Sequence, residues 1–324
     1  MRALVTGAGG FVGQWLARAL LDEGHTVTGA TLDDPSGATL LSTDEHESIE
    51  WVRGDIRRID DVRHALDVAT PDVVFHLAGV SSVQGAGADP GTAADVNVVG
   101  AARLLGEVRV RRRTGVLDPM VLVVGSGEQY GRHEAADLPL TEDAELRPLS
   151  VYAATKVAQE VVALEAHRTE GVRVVCVRSF NHSGPGQPGA FLLPSLVSRA
   201  LALRGVRAAP RLAMGNTATV RDFLHVADVV DAYILLASRG RPGEVYNVSS
   251  ATGISVKELA VRVLQATGVK AAIGTDPALT RSVDVPALVG DNRKLRDATG
   301  WSPQFTVQDV IEDLIAHTAH ASTL

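Results

Sequence analysis

The sequence is almost without sulfur chemistry. A single cysteine, Cys176, among 324 residues excludes an intrachain disulfide and any thiolate-built metal centre within one chain. Its place in the apolar run from Val172 to Val177 reads as a small buried strand residue. No apolar run approaches the roughly 18 residues of a membrane span, and the first residues show neither the charged stretch nor the apolar segment of a leader. No membrane partner is therefore expected, and residence in the cytoplasm is. Charge of one sign is also scarce: the formal net charge is only −7, with no basic surplus that would ask for nucleic acid. Internal repeats and low-complexity tracts are absent. What remains is 45% apolar residues, an ordinary globular composition, in a chain long enough for a large core and a smaller lobe.

Short β-branched runs alternate with helical patterns through the first half. The runs Ala3 to Thr6, Thr26 to Thr31, Ile49 to Arg53, Val73 to His76, Met120 to Gly125 and Val172 to Arg178 read as strands. Helices are expected over Phe11 to Glu23, Asp61 to Ala69, about Ala93 to Arg113 and Val151 to Glu170. This rhythm predicts an α/β fold: a doubly wound parallel sheet covered by helices on both faces, which is why each strand is a near-continuous apolar run. After Ser179 the Gly/Pro-rich stretch Ser183 to Gly189 breaks the rhythm and marks the start of a smaller α/β lobe. A helix near Val226 to Leu236 and a strand near Val245 to Val248 return to the first domain. The expected division is 1–178 plus about 222–248 for the sheet domain, and about 179–221 with 249–324 for the lobe. The basic run Arg109 to Arg113 ends a helix, where cations suit the dipole, and reads as a solvated end.

Gly7-Ala8-Gly9-Gly10-Phe11-Val12-Gly13 follows the first strand and opens the first helix. A dinucleotide needs such a turn, because its pyrophosphate must approach backbone N–H groups at a helix N-terminus where a Cβ would obstruct it. Strand before, helix after and another strand beyond are the context that makes the pattern a site. After the second strand come Asp33 and Asp34. A carboxylate there suits a ribose 2′-OH and repels a 2′-phosphate, and the loop holds no Arg or Lys, so NAD is favoured over NADP. Asp55, after the third strand, is suited equally to adenine contact and to a turn or cap.

Tyr152 and Lys156 stand four apart near the start of a predicted helix and so share one face. A phenol is a poor acid/base at neutral pH unless its surroundings shift it; a neighbouring ammonium and a positive nicotinamide ring are expected to favour the phenolate. Ser126 ends the preceding strand, where its hydroxyl can bond the same substrate oxygen.

Gly7-x-x-Gly10-x-x-Gly13, His76-Leu77-Ala78-Gly79, Asn97, Ser126 and Tyr152-x-x-x-Lys156 together resemble the extended short-chain dehydrogenase/reductase family over essentially the whole length, with Gly79 where alanine is common. The resemblance implies a Rossmann domain binding NAD or NADP through Gly7, Gly10, Phe11, Val12, Gly13, Asp33, Asp55, Ile56, Leu77, Ala78, Gly79, Tyr152 and Lys156. It implies proton handling by Ser126, Tyr152 and Lys156, support of the site by Asn97, and a homodimer formed by the helices that carry Asn97 and Lys156. No metal is implied.

Three later segments are similar to the nucleotide-sugar-binding parts of the GDP-4-keto-6-deoxymannose reductase branch: Phe180 to Gln187, Gly215-Asn216 with Val220 to Phe223, and Arg281 to Pro286. They imply substrate contacts from Ser81, Ser82, Asn181, Arg221, Arg281 and Asp284, the two guanidinium forks suiting a diphosphate. The implied reaction is NAD(P)H-dependent reduction at C4 of a nucleotide-linked 4-keto-6-deoxy sugar. Glu128 keeps a rival open, since related 4,6-dehydratases carry a base there; a 4-epimerase shares the Tyr/Lys chemistry. A non-catalytic nucleotide-binding protein is the remaining alternative, disfavoured by the retention of Tyr152 and Lys156.

Overall fold

The structure, a computed structural model, describes residues 1–206, 210–279 and 285–321. Six strands of the first half, β1 (Arg2–Thr6), β2 (Thr26–Thr31), β3 (Ile49–Arg53), β4 (Val73–His76), β5 (Met120–Val124) and β6 (Val174–Ser179), join in one parallel sheet. The lobe contributes β7 (Asn181–Ser183), β8 (Arg211–Met214) and β9 (Val220–His225), after which β10 (Val245–Val248) returns to pair with β6. The order in the large sheet is β10-β6-β5-β4-β1-β2-β3. The helices of this half are α1 (Phe11–Asp22), α2 (Thr43–Glu47), α3 (Ile59–Ala69), α4 (Val83–Ala88), α5 (Pro90–Ala94), α6 (Gly100–Arg113) and α7 (Val151–Glu170).

Alternation along each strand divides the core in two. Ala3 and Val5 face Leu16 and Leu20 of α1 on one side of the sheet; Leu4 between them faces Leu66 of α3, Leu105 of α6 and Ala163 of α7 on the other. With both faces covered, no position of a central strand tolerates a polar side chain cheaply. The chain winds outward from β1 in one direction through β2 and β3, and from β4 in the other through β5 and β6. The loops leaving β1 and β4 therefore diverge, and a crevice opens above the carboxyl ends of these strands, the usual ligand position in such sheets.

The helix expected from about Ala93 to Arg113 is interrupted. Between α5 and α6 the backbone makes a π-helical turn over Asp95–Val99, which places Asn97, fully buried, at its centre. Single π turns inside helices often re-aim a side chain at a functional site.

The lobe is completed by α8 (Leu192–Ala202), β11 (Gly253–Ser255), α10 (Val256–Thr267), β12 (Ala272–Thr275), β13 (Ala287–Leu288) and α12 (Val307–Ala321), while α9 (Val226–Arg239) and α11 (Arg293–Thr299) pack on the large sheet. Strands β7, β11 and β13 all pair with β9, and Leu196, Leu212, Leu259 and Ile311 form its core. The division differs from the sequence expectation at two places. All of β9 stays in the lobe sheet, although residues from about 222 were assigned to the first domain. Leu295 of α11 and Trp301 join the first core beside α9, although everything after 249 was assigned to the lobe. The indole N–H of Trp301 donates to the carbonyl of Asp228 on α9 at 3.0 Å, a long-range contact that no local pattern encodes. Among the described residues no helix is long and apolar enough to cross a membrane, and no group of His, Cys, Asp and Glu is arranged to hold a metal.

Candidate active site

The glycine turn after β1 is built for close approach. Gly7 has φ +75°, and a Cβ there would stand 2.9 Å from the backbone nitrogen of Ala78, so the 77–79 loop lies directly against it. At Gly13 a Cβ would meet the Gly7 carbonyl at 2.2 Å, which explains why the first turn of α1 can sit tight on the strand. Gly10 caps α1 without a side chain, leaving the N–H groups of Phe11, Val12 and Gly13 to an external anion. This cradle fits a dinucleotide pyrophosphate.

Ser126 lies two residues past β5, and its hydroxyl accepts from the N–H of Glu128 at 3.2 Å. Tyr152 stands in the first turn of α7, which Ser150 caps by accepting from the N–H of Ala153 at 3.1 Å. The Ser126 hydroxyl hydrogen-bonds the Tyr152 phenol, which favours ionisation, but burial outweighs it and the charge of Glu128 adds to burial, pushing the phenol up to about 12. Tyr152 as a residue keeps partial exposure. The expected bias towards phenolate is thus absent in the protein alone. Lys156 is not bonded to the phenol: its amine donates to the Val124 carbonyl at 2.8 Å and to Gln159 Oε1 at 3.0 Å, and burial brings it down to about 8.

Asn97 joins the nicotinamide-side loop to α7. Its Oδ1 accepts from the N–H of Val80 at 2.8 Å, and its Nδ2 donates to Thr155 Oγ1 at 2.9 Å. Gly79 is therefore more than a small exchange for alanine, because a Cβ there would lie 2.9 Å from Asn97 Oδ1 and 3.4 Å from Lys156 Nζ. With Asn97 held at both ends, overpacking of this kind costs about 1–3 kcal/mol. Gly79→Ala is accordingly expected to weaken dinucleotide binding by roughly tenfold, read by fluorescence titration of NADH or NADPH.

His76, at the end of β4, bonds Thr6 Oγ1 through Nδ1 at 2.8 Å. Burial, with the charge of Lys156, lowers it to about 3, so it stays neutral and serves to hold the loop. Thr6 Oγ1 also accepts from the N–H of Ala78 at 3.2 Å.

The remaining sequence candidates fall into three groups. Glu128 stands with Ser126 and Tyr152, and Asn181 opens β7 at the same end of the sheet, where it pairs with Phe223. Ser81 is exposed, and Ser82 caps α4 by accepting from the N–H of Gly85 at 3.0 Å. Asp33 is exposed just past β2, with Asp34 capping the following turn. Ile56 packs under Gly100. The carboxylate of Asp55 is clasped by Arg57 at 2.6 Å and accepts from its N–H at 2.9 Å; of its two readings, the turn role is the one this geometry displays. Arg221 is buried and donates to the Val285 carbonyl at 2.7 Å. Arg281 and Asp284 lie outside the described residues.

Two features of the site escaped sequence reasoning. Arg53 on β3 pairs in register with Thr31 and donates to the Leu32 carbonyl at 3.4 Å, so a cation does stand beside Asp33 and Asp34 even though their loop contains none. Gln129 accepts from the N–H of Ser126 at 2.7 Å and donates to Glu160 at 2.9 Å. Glu160 in turn binds Arg178 of β6 at 2.7 and 2.9 Å, and Arg178 reaches the Tyr130 hydroxyl at 2.9 Å. A buried polar chain thus runs from the serine loop across α7 to β6. The register of β2 with β3 would have exposed the first; glutamines carry no pattern that would have signalled the second.

Over residues 4–314 the chain matches the family described as GDP-mannose 4,6 dehydratase. It is 34% identical over 315 residues to the GDP-6-deoxy-D-mannose reductase of Pseudomonas aeruginosa, covering 97% of this chain and 96% of that protein. It is 33% identical over 317 residues to a UDP-glucose 4-epimerase of Mycolicibacterium smegmatis, covering 96% of each. Among solved structures, that of RMD from Pseudomonas aeruginosa complexed with NADPH superposes with a TM-score of 0.83 at 31% identity, covering 99% of this chain and 100% of that one.

Proposed function

This chain belongs to the GDP-mannose 4,6-dehydratase family, a branch of nicotinamide-dependent short-chain dehydrogenases/reductases, and on that premise we propose that it reduces the C4 ketone of a GDP-linked 4-keto-6-deoxy sugar. The observation that carries this reading is the convergence of Ser126, Tyr152 and Lys156 beside the glycine cradle at the carboxyl end of β5. When bound, the dinucleotide supplies the hydride. Tyr152, kept protonated by burial and by Glu128, gives its proton to the oxygen that becomes the C4 hydroxyl. Ser126 holds that oxygen. Lys156 faces the loop at Gly79, where its remaining N–H serves the ribose. Asn181, Arg221 and Arg281, with Ser81, Ser82 and Asp284, receive the sugar and diphosphate.

Mixing the protein with NADH or NADPH and a GDP-4-keto-6-deoxy sugar tests the reading through nicotinamide absorbance. Stoichiometric oxidation of the cofactor is the expected result; a cofactor left unoxidised in the presence of the keto sugar refutes it. A 4,6-dehydratase, which would use Glu128 as a base and forms the keto sugar as its product, or a 4-epimerase, which shares the Tyr152 and Lys156 chemistry, would instead turn over a 4-hydroxy nucleotide sugar with no net change in the dinucleotide. Both dinucleotides are assayed because Asp33 argues for NAD, whereas Arg53 at the same edge and the NADPH of the Pseudomonas structure argue for NADP.

The pH profile follows from Lys156. With its free-enzyme value lowered to about 8, the ammonium is present below that pH and lost above it, and kcat/KM reports free-enzyme groups. The alkaline limb of kcat/KM is therefore expected to fall through a pH near 8, well below the midpoint near 10.4 of an ordinary lysine.

We further infer a homodimer through α6 and α7. These helices leave Val110 and Val161 51% and 55% exposed, and a Cβ at Gly106 would meet open space, which lets another helix approach closely. Sedimentation equilibrium at twice the chain mass supports this; a monomer overturns it.

A further inference from the structure

Gln159 lies one turn beyond Lys156 on α7 and is completely buried. A buried primary amide ordinarily uses both ends, because an unmet donor in the interior is costly. Here Oε1 accepts from Lys156 Nζ at 3.0 Å, while Nε2 is buried with no hydrogen-bond partner among the described residues. The amide is thus oriented by the ammonium alone: turning it over would set an N–H pair against three N–H donors. Val124 supplies the second acceptor at 2.8 Å, and Gly79 lies at the third side, where a Cβ would stand 3.4 Å from Nζ.

We propose that Gln159 is a positioning residue for Lys156: with the Val124 carbonyl it fixes two of the three ammonium N–H bonds, so that the third is aimed past Gly79 at the dinucleotide. The proposal rests on the reading of Lys156 as the amine that serves the cofactor. Among the described residues Gln159 is also the only side chain that accepts from this amine, whose charged form burial disfavours. The other titratable groups facing this amine are few. Tyr152 precedes it by one turn on α7, and neutral His76 approaches from β4. Glu128 acts on Tyr152 from the turn after β5, and Glu160, next to Gln159, is taken up by Arg178 and Gln129.

The chain has four lysines, Lys156, Lys257, Lys270 and Lys294, so ¹³C-lysine NMR, assigned with single Lys→Arg variants, follows Lys156 directly in the full-length protein. Gln159→Leu removes the acceptor at nearly constant volume. It is expected to lower the Lys156 titration midpoint and, since bonds to charged groups are the strong ones, to weaken NADPH or NADH binding by about tenfold or more. Gln159→Glu keeps an oxygen and adds a negative charge; it is expected to raise the midpoint and to bind the dinucleotide more tightly than the leucine variant. Should Gln159→Leu fail to fold, the direction of the midpoint in Gln159→Glu decides alone. Folded variants with wild-type midpoints and wild-type affinities overturn the proposal. Neither readout needs a sugar: absence of keto-sugar reduction by the unaltered protein would refute the function while a moving Lys156 midpoint upheld the role of Gln159, and the converse pair of results separates them the other way.

Discussion

Tyr152→Phe is expected to lower kcat for keto-sugar reduction by about 10²- to 10⁴-fold, the usual contribution of a positioned proton donor, with dinucleotide affinity close to that of the unaltered protein. The ring survives the substitution, so the walls of the cleft are kept; only the proton and the hydrogen bond to Ser126 are removed. Burial and Glu128 hold the phenol near 12 in the protein alone. At neutral pH it is therefore loaded with the proton that a reduction consumes, whereas a sugar oxidation would first require the phenolate. The measurement is single-turnover oxidation of bound NADH or NADPH. Turnover undiminished in the variant would remove Tyr152 from the chemistry.

Arg178→Met is expected to produce the largest loss of stability, about 3–5 kcal/mol, because removing one member of a buried ion pair leaves its partner's charge uncompensated. Arg178 and Glu160 have side chains only 6% exposed and are joined by two short hydrogen bonds. The same guanidinium donates to the Tyr130 hydroxyl and to the Glu142 carbonyl, both at 2.9 Å, so the variant also removes a donor from each, although the buried Tyr130 hydroxyl keeps its bond to Asn247 at 2.6 Å. Guanidinium denaturation followed by circular dichroism measures the shift. Adding Glu160→Met should recover part of the loss, since no unpaired charge then remains, yet not all of it: Gln129 Nε2 loses its acceptor at Glu160. A shift within experimental error in the single variant would show that the pair contributes nothing net.

Much of the fold is legible from local pattern. Strands such as Ala3 to Thr6 are apolar on both faces because helices cover both faces, and that alone signals a parallel sheet. The glycine turn is legible because its geometry is a backbone requirement: Gly7 must take a positive φ, and Gly13 must lie against a carbonyl. The spacing of Tyr152 and Lys156 follows from the helix repeat. The interruption at Asp95–Val99 is not legible, since the residues are compatible with an ordinary helix and the π turn is chosen by what Asn97 reaches, Val80 and Thr155. The domain division misleads at Leu295 and Trp301 for the same reason, as an apolar residue does not record which of two cores it enters.

By itself the sequence determined the α/β architecture, the cradle for a pyrophosphate and the presence of a phenol and an amine on one helix face, because each depends on residues close together in the chain. Only the tertiary structure decided how those groups are charged and aimed. The phenol is raised by burial and by Glu128, the amine is turned to Val124 and Gln159, and Arg53 comes beside Asp33 through the pairing of two strands. Burial and long-range register are properties of the assembled chain, so electrostatics that depend on them cannot be read from spacing.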